Sequence, residues 1–459
     1  MKTAAIEISD AALVAALDGR PGPVSPGYAW MSREKISVGE AARRAARLEP
    51  LNIDNRFWQD LDERPLSQPA AAGRSRADLA YVQLRQLWDE VRAASSGTID
   101  VVAGVVPGTL KPEQLALMLG IARACDMPLG GFMDAAVAAA SAWGGRGRFV
   151  YIDVHLHRAV ITAVEVGAEA RRERVEVASR AGLIALQDAW MRLVARSFVA
   201  RTRFDPLHQA RTEQALFDAL PAAMAGLASG RETQVEIPFG ADRHQVTITR
   251  EELLLESQPL YGHIVMSAHR LRRAGHPLTI ALSAGAAALP GLAERFSEFK
   301  DSEVLACVPG CSALAAAEHA KGWSVTQDSA TLFRSAPVLP PEVAASLAPA
   351  RIQTAQAATH RRPATHVLYK GKAHALQVQP LIAGVAGGEG RLQVTEAAAG
   401  ISPLHCSLLR QSGESEVVDF SRYGTWLNDE RVIGRAPLHA GDRLRLGTPG
   451  VTLELIAID

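Results

Sequence analysis

The chain has 459 residues and sets 49 Lys plus Arg against 49 Asp plus Glu, so no net field draws it toward nucleic acid or an anionic membrane. Its 48% of hydrophobic residues can fill sizeable cores, its length suits two to four domains, and it lacks an uninterrupted apolar run of the roughly 18 residues a membrane-spanning helix needs. Four cysteines (Cys125, Cys307, Cys311 and Cys406) are too few for a disulfide framework and point to a reducing cytoplasm.

Along the chain, residues 1–325 read as one alternating α/β body. The apolar start "MKTAAIEISDAALVAAL" carries Glu7 and Asp10, so a strand is expected there rather than a signal peptide. Strand-like runs "TAAIEIS", "IDVVAGVV", "RFVYIDV", "AVITAVEV" and "LTIALSA" alternate with helical patterns such as "PEQLALMLGIARAC" and "LQDAWMRLVARSFVARTRF". "QVEIPFGADRHQVTITREEL" predicts a hairpin turning at Gly240, then a helix capped by Thr249 with Glu252 three residues on. Residues 326–363 are rich in Ala and Pro and read as a linker. From 364 to 459, short strands recur between turn signals ("HVLYKG", "HALQVQP", "CSLLRQSG", "EVVDFS", "RLRLG", "VTLELIAI"), the pattern of an all-β sandwich. Cys307 and Cys311 lie four apart, with no second pair to complete a zinc site.

Several segments of the body, in one order, resemble the nucleotide-binding domain of DnaK-type heat-shock chaperones in the actin-like ATPase superfamily. "AAIEISDAALVAA" and "FVYIDVHLHRAVITAVEV" look like the two phosphate-binding hairpins. "ISVGEAARRAARLEPLN" resembles a basic helical segment that follows the first, and "FMDAAVAAASAWG" an Ala-rich helix. "LTIALSAGAAALPGLAERF" resembles the adenosine loop with Pro290 at its offset, and "GCSALAAAEHA" the closing helix. The resemblance implies a two-lobed fold in which glycine-rich turns cradle phosphates and strand carboxylates hold hydrated Mg²⁺.

The residues depart from that pattern where phosphate would sit. Asp-x-Gly-Thr of the first hairpin is Glu7, Ile8, Ser9, Asp10. Asp-x-Gly-Gly-Gly-Thr of the second keeps Asp153 but continues Val154, His155, Leu156, His157. Gly-Gly of the adenosine loop is Ala284, Gly285, and the Glu-Pro before the Ala-rich helix is Asp134, Ala135. Phosphate needs bare backbone N–H groups, and bulky side chains here favour a pseudo-ATPase. If residues 153–157 stay extended, Asp153, His155 and His157 share one face, a candidate metal or anion site; otherwise the histidines fill the cleft or bond locally.

The C-terminal stretch "ISPLHCSLLRQSGESEVVDFSRYGTWLNDERVIGRAPLHAGDRLRLG" resembles the core of a forkhead-associated (FHA) domain. Ser402, His405, Asp419, Ser421, Gly424, Thr425 and Asn428 match the family pattern, as do Leu438, Gly441, Asp442 and Gly447. The family binds phosphothreonine peptides through loops at one end of the sandwich, which implies a phosphate-binding role for Ser402. Its upstream Gly-Arg is Gly384, Val385; its Ser-Arg arginine is Pro403; its peptide-contacting Asn is Tyr423. Arg391 or Arg422 would have to compensate. His405, Thr425 and Asn428 are expected to stabilise the loops, and Trp426 to be core.

The sequence thus predicts an actin-like α/β (pseudo)ATPase body, a linker and an FHA-like sandwich. It reads as a non-enzymatic adaptor acting by protein contact. The alternatives are an ATP-binding switch and a phosphothreonine reader. No catalytic constellation stands out. The degenerate nucleotide site would comprise Glu7, Ser9, Asp10, Asp134, Asp153, Ala284 and Gly285. The partner face would comprise Ser402, Arg422, Tyr423, Gly424 and Thr425. Protein partners are expected, phosphothreonine-bearing ones among them, but neither nucleic acid nor membrane. No cofactor is required, with ATP and Mg²⁺ the pair the resemblance leaves open.

Overall fold

The computed structural model describes residues 1–240, 242–273, 277–296, 299, 302–326, 329–352, 362–395, 400–411, 413–428, 430–448 and 450–458. The chain divides into a body, Met1–Ala268 with Thr279–Thr354, and a second unit, His269–Leu278 with Ala355–Asp459.

The body is mixed α/β and holds two large sheets of like construction. In the first, Thr3–Ile8, Ala12–Leu17 and Arg20–Pro26 form an antiparallel meander. Val101–Val106 then joins parallel to Thr3–Ile8, and Leu129–Asp134 joins parallel beyond it. In the second, Gly147–Val154, Ala159–Val166 and Glu169–Ala178 make the meander. Leu278–Leu282 and then Ser302–Ala306 extend the sheet beyond Gly147–Val154. Central strands such as VVAGVV are buried along their whole length, so they read as continuous apolar runs rather than alternating ones.

Two Ala-rich helices, Ala135–Ser141 and Cys311–Ala320, pack against each other within the core that both sheets share. Their composition follows from the packing: alanine favours helix and its small side chain lets backbones approach closely. A second core lies on the other face of the first sheet, under the helices Arg76–Ala94 and Pro112–Ala124. The hairpin Glu232–Phe239/Asp242–Thr249 forms as expected, with Gly240 at φ +63°. Glu252 accepts from the Thr249 N–H at 2.9 Å while the Thr249 hydroxyl accepts from the Glu252 N–H at 3.3 Å.

The expected linker, 326–363, needs correcting over much of its length. Leu332–Phe333 adds an edge strand to the first sheet, and Ser335–Pro337 and Ala350–Arg351 add edges to the second. Pro341–Leu347 is a helix with Ala344 and Leu347 in the shared core. Short edge strands carry few apolar residues, so composition alone resembled a linker. Residues 353–361 of that stretch lie outside the described residues.

Among the described residues, the second unit holds an all-β sandwich of a six-stranded and a five-stranded sheet around one core that includes Val367, Ala383, Cys406, Leu408, Val417, Leu444 and Leu453. Among the described residues, no helix is long and apolar enough to cross a membrane.

Candidate functional site

Both meanders of the body begin with a strand, a tight turn and a second strand. The first turn closes through the Ser9 N–H on the Ala12 carbonyl at 3.2 Å, the second through the His155 N–H on the Arg158 carbonyl at 2.9 Å. Each is pinned by a glycine further along. A Cβ on Gly27 would lie 1.8 Å from the Asp10 carbonyl oxygen, and one on Gly182 would lie 2.3 Å from the His157 carbonyl carbon. Gly182 lets the helix Leu183–Thr202 start against the second turn, where Leu183 and Ile184 N–H groups donate to the His155 and Leu156 carbonyls at 2.8 and 2.9 Å. Those helix-terminal donors, ordinarily available to an anion, are thereby occupied.

The two turns meet through side chains. Asp10 is buried, and its Oδ1 accepts from the Leu156 N–H at 3.0 Å. His155, also buried, has Nε2 2.9 Å from Asp153 Oδ2 and Nδ1 3.5 Å from Asp10 Oδ1. Burial opposes a charge on His155, but Asp153 and then Asp10 outweigh it and raise its pKa. Burial likewise opposes a charge on Asp153, yet His155, the Ser283 hydroxyl and the Val154 N–H together hold it below the ordinary carboxylate range. The arrangement is an imidazole ring between two carboxyl groups, Asp10 in the first turn and Asp153 at the end of the strand that leads into the second. Asp10 Oδ2 is buried with no hydrogen-bond partner among the described residues.

Behind this latch lies a cavity of about 180 Å³, lined by Glu7, Ser9, Asp153, Ser283, Ala284 and Gly285, with both thiols of Cys307 and Cys311. It is smaller than the roughly 300–1,000 Å³ of most small-molecule pockets. Burial first, then repulsion from Asp153, pushes the Glu7 carboxyl up to about 8, with His155 acting against them. All four cysteines are free and buried.

Five residues of the expected nucleotide site, Glu7, Ser9, Asp153, Ala284 and Gly285, therefore line one cavity, and Asp10 lies in the adjoining turn. Asp134 is engaged elsewhere. Its Oδ1 caps the helix Ala135–Ser141 by accepting from Ala136 and Val137, and its Oδ2 accepts from Arg172 Nη1 at 2.6 Å. The shared face of Asp153, His155 and His157 does not form, because the strand ends at Val154 and the chain turns. His157 instead reaches Asn55 Oδ1 at 3.0 Å.

The basic segment after the first meander carries a second set of contacts. Arg47 pairs with Asp188 at 2.5 Å and Glu213 at 3.5 Å, and Arg43 with Asp218 at 3.2 Å. Both guanidinium groups lie over the Phe217 ring, and Gln214 Oε1 accepts from the Arg47 N–H at 2.7 Å. The run of arginines in "GEAARRAARLEP" was the visible signal. Arg43 and Arg44 also pair with the local Glu40, but Asp188, the nearest in sequence of the distant partners, is 141 positions from Arg47 and nothing local announces it.

In the sandwich, His405 is fully buried and joins two loops. Its Nδ1 accepts from the Ser402 N–H at 3.0 Å and its Nε2 donates to the Gly424 carbonyl at 2.9 Å, a pairing that fixes the neutral Nε2–H tautomer. Burial lowers its pKa, in keeping with that neutral form. Ser402 is 8% exposed, and its hydroxyl accepts from the Arg422 N–H at 3.2 Å. Thr425 donates to Asp419 Oδ1 at 2.7 Å, and Asn428 donates to Asp442 at 2.9 Å while accepting from the Arg443 N–H. Gly424 has φ +84°. Arg422 and Tyr423 face solvent, whereas Arg391 begins a strand opposite Ile382. Trp426 is half-buried rather than core, with the Arg445 guanidinium 4.3 Å above its ring.

Residues 390–447 match the FHA domain family. They span the loop pair tied by His405 and most of the strands behind it, so the C-terminal sandwich carries an FHA domain, a protein-interaction module. No curated protein sequence matches the chain.

Proposed function

We propose that the chain is a non-enzymatic adaptor, in which an actin-like pseudo-ATPase body is joined to an FHA module and both act by protein contact. The actin-like reading draws on the two sheets built in the same order around a pair of buried Ala-rich helices. The pseudo-ATPase reading rests on one observation above the others: the Asp10 carboxylate sits on the Leu156 N–H, so the body's own side chain takes the place of an anion between the two turns. A phosphate arriving there would meet two carboxylates, and the cavity behind is small.

Calorimetric titration of the full chain with Mg-ATP tests this. The expected result is no binding tighter than about 100 μM, a threshold of roughly −5.5 kcal/mol. Asp10→Gly, which removes the resident carboxylate, should bind tripolyphosphate at least tenfold more tightly than the unaltered chain. Micromolar Mg-ATP binding with turnover by the unaltered protein would overturn the reading in favour of an ATP-driven switch.

A further inference from the structure

The two loops tied by His405 also bond to each other through backbone: the Phe420 N–H donates to the His405 carbonyl at 3.3 Å, and the Arg422 N–H to the Ser402 hydroxyl. A third loop joins them, with Val385 and Ala386 N–H groups donating to the Ser402 and Pro403 carbonyls. Three loops at this end of the sandwich are thus tied to one another through polar groups. What this end turns outward is apolar. Leu404 is 44% exposed, Phe420 49% and Tyr423 54%. Among them stands Arg422, exposed and without an ion-pair partner among the described residues.

We infer that this face docks an unphosphorylated peptide segment of a partner protein, in which an Asp or Glu carboxylate meets Arg422 and a neighbouring large apolar residue covers Leu404, Phe420 and Tyr423. The inference rests on the protein-contact reading of the FHA module and deepens it by naming the ligand chemistry. Charge complementarity sets the choice. One planar guanidinium matches one carboxylate in a two-bond fork. A phosphate dianion needs further cations or free donors, and here the nearby Ser402 is 8% exposed and position 385 is Val. Exposed aromatic and aliphatic side chains around a fixed cation make a contact surface that gains from losing water.

The test is an array of 12-residue peptides probed with the full chain. The central position is Asp, Thr or phosphothreonine, and the position two residues on is Leu, Phe or Ala, within a fixed Gly-Ser background. Asp peptides carrying Leu or Phe should be retained, and their Thr and Ala counterparts lost. In fluorescence anisotropy with the best Asp peptide, Arg422→Ala and Tyr423→Ala should each weaken binding at least tenfold. Arg422→Lys should restore only part of it, because an ammonium cannot form the fork. Phosphothreonine peptides binding tenfold more tightly than Asp peptides would overturn the inference in favour of a phosphate reader. Retention of no peptide would overturn it as well. Neither outcome touches the body, whose reading fails separately if Mg-ATP is bound and turned over.

Discussion

The cleft of the body and the loop end of the FHA module solve one problem in opposite ways. Each is a meeting of turns rich in backbone donors. In the body the meeting point is filled from within: Asp10 reaches the second turn, and the buried His155 stands between Asp10 and Asp153. In the module the polar ties run beneath the loops through His405, Ser402, Thr425 and Asn428, and the outer face stays open. The difference teaches that a meeting of turns has two distinct outcomes. It can be filled by an internal contact, or it can keep its polar scaffold beneath an open surface.

The largest expected effect breaks the body's side of this comparison. Asp153→Ala leaves His155 buried without its nearest carboxylate and should cost about 3–5 kcal/mol, read as a lower urea midpoint. His405→Ala should cost about 2–3 kcal/mol, since it strands the Ser402 N–H and the Gly424 carbonyl. Amide exchange should then rise across residues 400–425 and leave the body unchanged.

The two regions should also respond to pH with opposite slopes. The Glu7 carboxyl ionises near 4.5 when unfolded and near 8 when folded, so its burial weakens the body progressively as pH rises between those values. The raised pKa of His155 acts in the same direction: its contribution is full below 6.5 and is lost as pH climbs through the folded value. The lowered pKa of Asp153 sets the acid limit, its contribution being lost as pH falls below 3.8 toward the folded value. In the module, His405 is held neutral, so stability is full above 6.5 and erodes as pH falls below it. Glu7→Gln should flatten the alkaline decline of the body, measured by amide exchange from pH 5 to 8, without altering the acid-side decline of the module. The smallest effect serves as a control. Thr249→Ala removes a helix cap from outside both sites and should cost the body about 1 kcal/mol, with no change in peptide or phosphate binding.

Much of this architecture was legible in local pattern. Strand runs, the hairpin at Gly240 and the Thr249 cap depend on neighbours within a few residues, and the FHA core keeps its turn residues at characteristic spacing. The short edge strands between 332 and 351 were not legible, because a two- or three-residue strand is made by the sheet it joins.

By itself the sequence determined that the two turns of the body carry side chains rather than glycine, that Asp10 and Asp153 stand beside them, and that the FHA loops hold Ser402, His405 and Thr425 with Val at 385. Only tertiary structure decided what those residues do. Asp10 and Leu156 are 146 positions apart, and His405 and Gly424 are 19 apart. A hydrogen bond depends on separations of about 3 Å and on the direction of the donor, which packed strands and turns impose and a linear pattern does not contain.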